Sequence, residues 1–226
     1  MRVKICGITT VGDAVAAVEA GTDAIGLNLY AGPRRIDADR ATAIRESLPP
    51  FVTPVALVPL VDGRLADDLV HLLIQNRIDL LQTYGDVTVD ALIRLSEAGF
   101  GVIQSMAVRD AGFAEARPSW GEGQWRPRAV ILDAYDPNRS GGTGKAFCWD
   151  WVDEALKAGR LDGWPPIVLA GGLNPDNVDE AIRIVRPYAV DVSSGVEVEG
   201  APGRKDPRKM RDFIRSAKAA LERNDA

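Results

Sequence analysis

Eight short apolar runs alternate with helical patterns along the whole chain, and this alternation is the strongest constraint on its fold. The runs are rich in Val, Ile, Leu and Ala, which is typical of parallel strands covered on both faces. They lie at 3–8, 24–29, 53–60, 80–84, 101–108, 129–135, 166–172 and 189–196. Helical patterns lie at 13–21, 37–48, 64–76, 89–99, 151–159, 175–185 and 206–222, whereas 109–127, rich in Gly, Pro and Trp, predicts only a short helix.

Eight strand–helix units joined by right-handed crossovers close naturally into a (β/α)8 TIM barrel, which is an α/β fold. The alternative is an open doubly wound sheet, which is disfavoured because no G-x-G-x-x-G follows the first strand. No linker or low-complexity tract divides residues 1–226. We therefore expect a single domain with the barrel fold.

Composition narrows the class of protein. A hydrophobic content of 46% is typical of a soluble globular protein, and a net charge of −5 without a basic face disfavours a nucleic-acid partner. No run approaches the roughly 18 apolar residues that cross a membrane, and no signal peptide is visible, so we expect no membrane association and a cytoplasmic location. Two distant cysteines and a single histidine offer little for a disulfide framework, a metal site or a Ser-His-Asp triad.

Glycine-rich turns follow three predicted strands, at 141–144, 171–172 and 195. The first belongs to SGGTGK (140–145), which fails as a nucleotide-binding P-loop because Arg139 replaces its first glycine and Ala146 replaces its hydroxyl residue. Backbone N–H groups in such turns, and at the start of the following helix, favour anions. A purely structural role would be preferred for any one of these turns, but the three together favour a phosphate ligand.

Candidates for proton transfer end two of the predicted strands, where barrels of this type carry their chemistry. Cys6 ends the first strand, and helix dipoles at the barrel mouth would lower the pKa of its thiol and suit it to act as a base; the alternative is an inert core cysteine. Asp133 ends the sixth, and desolvation would raise its pKa and suit a general acid; the alternative is a structural hydrogen bond. Asp191, inside the last strand, favours an orienting role.

Arginines follow the second predicted strand. Arg34 or Arg35 can pair bidentately with a ligand carboxylate, and a solvated loop pair is the alternative that the sequence leaves open. Cys148 is expected to begin a helix or to pack against neighbouring tryptophans, and His71 to be a surface or packing residue of a helix. Neither Cys148 nor His71 is a candidate for the site.

Motifs along essentially the whole chain resemble the phosphoribosylanthranilate isomerase family. They are, in order, VKICGIT (3–9), DAIG (23–26), PRRI (33–36), ILDA (131–134), GGTGKAF (141–147), AGGLNPDNV (170–178), VDVSSGVE (190–197) and PGRKD (202–206). Each is weak alone, and the combination is specific. The resemblance implies a (β/α)8 barrel that, without a cofactor, converts N-(5-phosphoribosyl)anthranilate to 1-(2-carboxyphenylamino)-1-deoxyribulose 5-phosphate, an Amadori rearrangement of tryptophan biosynthesis.

The resemblance also implies roles for individual residues. Asp133 resembles the general acid that opens the furanose ring to a Schiff base, and Cys6 resembles the general base that removes the proton from sugar C2. Arg34 matches the arginine that holds the anthranilate carboxylate, with Arg35 as the alternative, and Asp191 resembles an acid that contacts the sugar. The phosphate cradle is expected at Gly142, Thr143, Gly144, Gly171, Gly172, Ser194 and Gly195.

Four departures from the family pattern are expected to line or neighbour the site. Tyr84 replaces the histidine of the family's Gln-Leu-His-Gly, Gly32 stands where serine commonly precedes Pro-Arg, and the pairs Asn28-Leu29 and Gln104-Ser105 also differ. Acid and base remain, but the departures leave two alternatives: a divergent paralogue acting on another sugar phosphate, and a non-enzymatic barrel that binds a phosphorylated ligand. The oligomeric state is left open between monomer and homodimer.

Overall fold

The computed structural model describes residues 1–85, 87–115, 120, 126–134 and 147–222, which form a closed barrel of eight parallel strands. The strands are β1 Arg2–Cys6, β2 Ala24–Asn28, β3 Thr53–Leu57, β4 Leu80–Tyr84, β5 Gly101–Val108, β6 Ala129–Ala134, β7 Ile167–Leu169 and β8 Ala189–Val192. Each strand pairs with the next along the chain, and β1 also pairs with β8 through the register Lys4 to Asp191. The predicted TIM barrel is confirmed.

Helices connect the strands on the outside of the barrel. Those in the described ranges are α1 Val11–Ala20, α2 Ala38–Glu46, α3 Asp67–Gln75, α4 Val89–Glu97, α5 Asp150–Lys157, α6 Val178–Val185 and α7 Pro207–Glu222. After β5 the chain forms a 3-10 helix, Ala111–Ala114, in the segment that predicted a short helix. In the part of the chain that the structure describes, no helix is both long and apolar enough to cross a membrane.

Capping side chains fix where several helices begin. The side chains of Thr10, Asp37 and Thr88 each accept a hydrogen bond from the backbone N–H three residues later, which satisfies a donor that the first helical turn leaves unpaired. Asn174 does not cap α6. That helix begins at Val178 with Asn177 as its cap, because Asn174 instead accepts from the N–H of Asp176 and closes a separate turn.

Two apolar layers flank the sheet. The larger lies between the strands and the helices, while the smaller fills the barrel interior with side chains from alternate strand positions: Val55, Ile103, Ala129, Ile131, Val168, Ala170 and Ala189. The same interior face carries the buried polar residues Lys4, Gln82, Ser105 and Asp191. The barrel is therefore a filled core whose polar side chains lead up to the carboxyl ends of the strands.

Candidate active site

A cavity of about 590 Å³ opens at the carboxyl ends of the strands, where barrels of this type place their ligands. Its size is that of a small-molecule site. Seven of the residues proposed from the sequence lie in its wall: Cys6, Arg34, Asp133, Gly171, Gly172, Asp191 and Ser194. Gly195 follows directly behind Ser194 in a 3-10 helix, Ser194–Val196. The expected sites Gly142, Thr143 and Gly144 lie outside the described residues.

Cys6 closes β1 with its thiol at the cavity and only 6% of the residue exposed. Burial raises the pKa of this thiol, and the Asp191 carboxylate raises it further, while the ammonium of Lys4 acts in the opposite direction. The expectation of a lowered thiol pKa is therefore wrong, because burial, the largest of the effects on this thiol, raises it. A thiol base at this position needs a nearby positive charge.

Asp133 lies at the end of β6 and in the cavity wall. Desolvation by burial is the main cause that raises its pKa to about 6, and the charge of Asp191 adds to the rise. The hydrogen bond that Oδ1 accepts from the N–H of Ala134, at 2.8 Å, works against the shift. The expected direction is confirmed, and the carboxyl retains a proton closer to neutral pH than an exposed aspartate does.

A chain of polar side chains crosses the barrel interior beneath the cavity. Lys4 Nζ donates to Asp191 Oδ1 at 2.9 Å and to Gln82 Oε1 at 3.0 Å, and Gln82 Nε2 donates to Ser105 Oγ at 3.0 Å. The sequence reasoning gave Lys4 and Gln82 no role, and it noted Ser105 only as a departure from the family pattern beside Gln104. The available signal was the period-two spacing of Lys4 with Cys6 and of Gln82 with Tyr84, which places each on the same strand face as its neighbour.

Arg34 lines the cavity, whereas Arg35 is exposed and lies outside its wall. Arg34 Nε and Nη2 donate to the two carboxylate oxygens of Glu197, each at 2.7 Å. Glu197 Oε1 also accepts from Lys205 Nζ and from the N–H of Gly203, both at 3.0 Å. A guanidinium has five N–H groups, so this arrangement fixes one edge of Arg34 and leaves the other edge for a carboxylate.

The turns after β7 and β8 meet at one side of the cavity. A Cβ at Gly171 would overlap the backbone N of Ala134, and one at Gly195 would overlap the carbonyl of Leu173, so loop packing alone requires glycine at both positions. Among the described residues, the N–H groups of Gly171 and Gly172 have no protein acceptor. Backbone donors in a cavity wall that have no acceptor among the described residues suit an anion, and this supports a phosphate more directly than the glycines themselves.

The four departures from the family pattern have different surroundings. Tyr84 lines the cavity and stacks on Tyr30, with ring centroids 6.1 Å apart and planes 25° from parallel. Asn28 and Gly32 also lie in the wall, and the Asn28 amide holds the β2–α2 loop by bonds to Tyr30 N and Ala31 O. The expected place of Gln104 beside the site is wrong. Its register with Thr83 puts it on the outer face of the sheet, where it accepts from Trp120 Nε1.

The two side chains that the sequence analysis set aside lie away from the cavity. Cys148 is exposed just before α5, and His71 is exposed on α3. Within the described ranges, no group of three or more His, Cys, Asp or Glu side chains is placed to hold a metal ion.

The fold and the site define a (β/α)8 barrel that brings a buried carboxyl group, a thiol, a guanidinium and glycine turns into one cavity. The chain belongs to the N-(5'-phosphoribosyl)anthranilate (PRA) isomerase family, whose sequence model matches residues 3–216. The resemblance of the motifs to this family is confirmed.

Full-length relatives and solved structures agree. The N-(5'-phosphoribosyl)anthranilate isomerase of Trichlorobacter lovleyi is 46% identical over 223 residues, covering 98% of this chain and 100% of the relative. That of Geotalea uraniireducens is 45% identical over 219 residues, covering 96% and 98%. The crystal structure of the Thermotoga maritima enzyme has 34% identity and a TM-score of 0.81, covering 97% of this chain and 99% of the other. A phosphoribosyl anthranilate isomerase in complex with reduced 1-(o-carboxyphenylamino)-1-deoxyribulose 5-phosphate has 33% identity and a TM-score of 0.77, with the same coverages.

Proposed function

We propose that this protein converts N-(5-phosphoribosyl)anthranilate to 1-(2-carboxyphenylamino)-1-deoxyribulose 5-phosphate, the Amadori rearrangement of tryptophan biosynthesis. The observation that carries the proposal is that Asp133 and Cys6 share one cavity wall with Arg34 and the turns after β7 and β8. The reaction needs an acid, a base, a carboxylate partner and a phosphate site, and this wall offers a group for each. The names of full-length relatives at up to 46% identity add support.

Ring opening is assigned to Asp133. The protonated carboxyl gives its proton to the furanose ring oxygen, the bond between that oxygen and C1 breaks, and the nitrogen lone pair forms the C1=N bond of a protonated Schiff base. A carboxyl with a pKa of about 6 retains enough of its protonated form near neutral pH to act in this way.

Proton removal from sugar C2 is assigned to the thiolate of Cys6. The electron pair of the C2–H bond forms C1=C2, and the C=N pair returns to nitrogen, which gives an enolamine. Protonation at C1 and loss of the C2 hydroxyl proton then give the ketone. Because the Schiff base is positively charged, its presence beside Cys6 favours the thiolate at the step that requires it.

Substrate binding is assigned to the rest of the wall. The edge of Arg34 that faces away from Glu197 pairs with the anthranilate carboxylate, and Asp191, one of whose oxygens is engaged by Lys4, uses the other for a sugar hydroxyl. The phosphate is assigned to the turns after β7 and β8, with donors at Gly171, Gly172, Ser194 and Gly195. Gly142, Thr143 and Gly144, outside the described residues, are assigned to the same cradle.

The pH dependence follows from the two proton-transfer groups. The active form requires Asp133 protonated and Cys6 ionised, although the pKa of the acid is about 6 and that of the buried thiol is raised above its ordinary range. With pKa values more than about two units apart in this order, less than roughly one molecule in a hundred holds both groups in the required state. The fraction of this form is constant between the two pKa values and falls outside them.

The wider proposal treats residues 1–226 as one cytoplasmic domain that takes a phosphorylated small molecule as substrate and uses no metal or cofactor. It acts as a monomer or a homodimer, and the Thermotoga maritima relative is described as dimeric. A divergent paralogue and a non-enzymatic ligand-binding barrel are less favoured, because identity with named isomerases extends over nearly the whole chain.

The test is turnover of freshly generated phosphoribosylanthranilate by the purified full chain, with product measured chromatographically. Cys6→Ala and Asp133→Asn should each lower kcat at least about a hundredfold, the loss typical of removing a proton-transfer group. Cys148→Ser and His71→Gln, matched changes at exposed positions, should leave kcat unchanged. Normal turnover by either site variant would remove the role given to that residue, and absence of turnover in the parent protein would remove the function.

A further inference from the structure

Lys4 is a buried lysine on the interior face of β1 that the catalytic assignments above leave without a role. The residue is only 5% exposed, which is unusual for a lysine. Burial is the largest single effect and disfavours its charged form, but the carboxylate of Asp191 and the sulfur of Cys6 together outweigh it, and the pKa of Lys4 is raised above its ordinary value. Lys4 therefore remains an ammonium throughout the pH range in which the enzyme works.

The ammonium of Lys4 and the thiol of Cys6 occupy the same small space. They lie two residues apart on β1, so both face the barrel interior, and Gly26 of β2 lies beside them. A Cβ built on Gly26 would lie 2.7 Å from Cys6 Sγ and 3.2 Å from Lys4 Nζ. Glycine at this position leaves the space in which both groups are held.

Two hydrogen bonds fix the ammonium within the barrel interior. Lys4 Nζ donates to Asp191 Oδ1 at 2.9 Å and to Gln82 Oε1 at 3.0 Å. An ammonium has three N–H groups, so a third remains for the sulfur of Cys6. Burial lets a hydrogen bond of this kind act on the thiolate with little screening by solvent.

We propose that Lys4 is a positioning residue for proton abstraction: held by Asp191 and Gln82, its ammonium stabilises the thiolate of Cys6 that takes the C2 proton. The inference rests on the proposed function, since it concerns the same base. Lys4 itself exchanges no proton. The thiol releases its proton to solvent, the thiolate then accepts the proton from C2, and the ammonium stays charged before and after.

Other charged or titratable groups also face Cys6, and they do not replace Lys4. Asp191 on β8 acts against the thiolate, and Tyr84 on β4 is held neutral because burial raises its pKa. Arg34 and Lys205 are cations, but both are paired with Glu197. Lys4 is the group that most strongly lowers the pKa of the thiol against the effect of burial.

The first experiment titrates Cys6 in the full chain without substrate. A Cys148→Ser background leaves Cys6 as the single thiol, whose ionisation is followed by thiolate absorbance and by the rate of alkylation with iodoacetamide. Lys4→Met should raise the thiol pKa by about one unit or more, so alkylation at pH 8 should slow at least about tenfold. Lys4→Arg should recover most of the alkylation rate, and Lys157→Met, which removes an exposed lysine of α5, should have no effect.

A double variant distinguishes a direct effect of Lys4 on the Cys6 thiolate from an effect that only cancels the charge of Asp191. Lys4→Met with Asp191→Asn removes the ammonium and its counter-charge together, which also leaves no unpaired charge to disturb folding. The thiol pKa should still lie above that of the parent, because the donor to sulfur is absent. A thiol pKa equal to the parent value in this folded double variant would overturn the proposal, since Lys4 would then act only by cancelling Asp191.

Kinetics give a readout that a merely structural role would not move. Because Cys6 controls the alkaline limb of kcat/KM, Lys4→Met should shift that limb upward by about one unit and lower the plateau about tenfold. A lower plateau with an unmoved limb would count against the proposal. The titration uses no substrate, so a failure of the assigned isomerase activity would be seen separately, as absence of turnover in the parent protein.

Discussion

Replacement of Asp133 by asparagine should stabilise the protein at neutral pH while it removes activity. Asparagine keeps the shape of the side chain and can still accept the 2.8 Å hydrogen bond from the N–H of Ala134. The substitution therefore removes one buried negative charge with little other change. Since that charge lies beside Asp191 in a desolvated wall, the folded protein is expected to be more stable without it.

The magnitude follows from proton linkage. Folding raises the pKa of Asp133 from 3.8 to about 6. Below pH 3.8 the carboxyl is protonated in both the folded and the unfolded state, and it does not lower the unfolding free energy. As the pH rises through 6 the unfolded state is favoured, because it loses this proton more readily. A difference of about two pH units, at about 1.4 kcal/mol each, costs the parent about 3 kcal/mol of unfolding free energy. Asp133→Asn avoids this cost, so it should be more stable by about 3 kcal/mol at pH 8 and by about 1 kcal/mol at pH 4.5.

Urea unfolding at pH 8 and pH 4.5 measures this difference, with m-values compared to show that both proteins expose the same surface. Asp162→Asn, at an exposed loop position, is the matched control and should change stability little at either pH. Equal stability of Asp133→Asn and its parent at pH 8 would refute the reasoning, as would a difference that does not vary with pH. Lost turnover together with this gain would show that the carboxylate is kept for chemistry at the expense of stability.

Three further outcomes are expected from the geometry of the cavity wall. The kcat/KM of the parent should form a plateau from about pH 6, the pKa of Asp133, into the alkaline range, because the acid Asp133 ionises at a lower pH than the base Cys6. A narrow maximum without a plateau would contradict this order of ionisation. Glu197→Gln should raise KM about tenfold or more with a smaller change in kcat, because Arg34 loses the charged partner that fixes the orientation of its guanidinium. Steady-state kinetics showing an unchanged KM would argue against that role of Glu197. Gly195→Ala should lower the unfolding free energy by about 1–3 kcal/mol in urea, because its Cβ would overlap the carbonyl of Leu173, and an unchanged midpoint would disprove the overlap.

The sequence predicted the barrel and its strand ends well because both depend on local patterns. Cys6 and Asp133 each terminate an apolar run, so the barrel hypothesis alone places them at the mouth. The interior network could not be found in this way. Lys4 reaches partners 78 and 187 residues away, and a single polar residue within a short apolar run carries no sign of such pairing.

Two predictions were wrong because they depend on the direction and the burial of a side chain. The thiol of Cys6 was expected to have a lowered pKa, but its desolvation by burial raises that pKa. Gln104 was expected beside the site, yet strand register places its side chain on the outer face. Both depend on which way a side chain points and on how much of its surface is covered, and one residue of register reverses the answer.

The pairing of β1 with β8 has a consequence for when the protein becomes functional during its synthesis. Lys4 is made near the start of the chain, and Asp191, its counter-ion, emerges 187 residues later. Until the last strand docks, closing the sheet around Lys4 would bury an ammonium without its carboxylate, which is costly. Docking of β8 therefore closes the ring of strands and supplies the counter-ion of Lys4 at the same time.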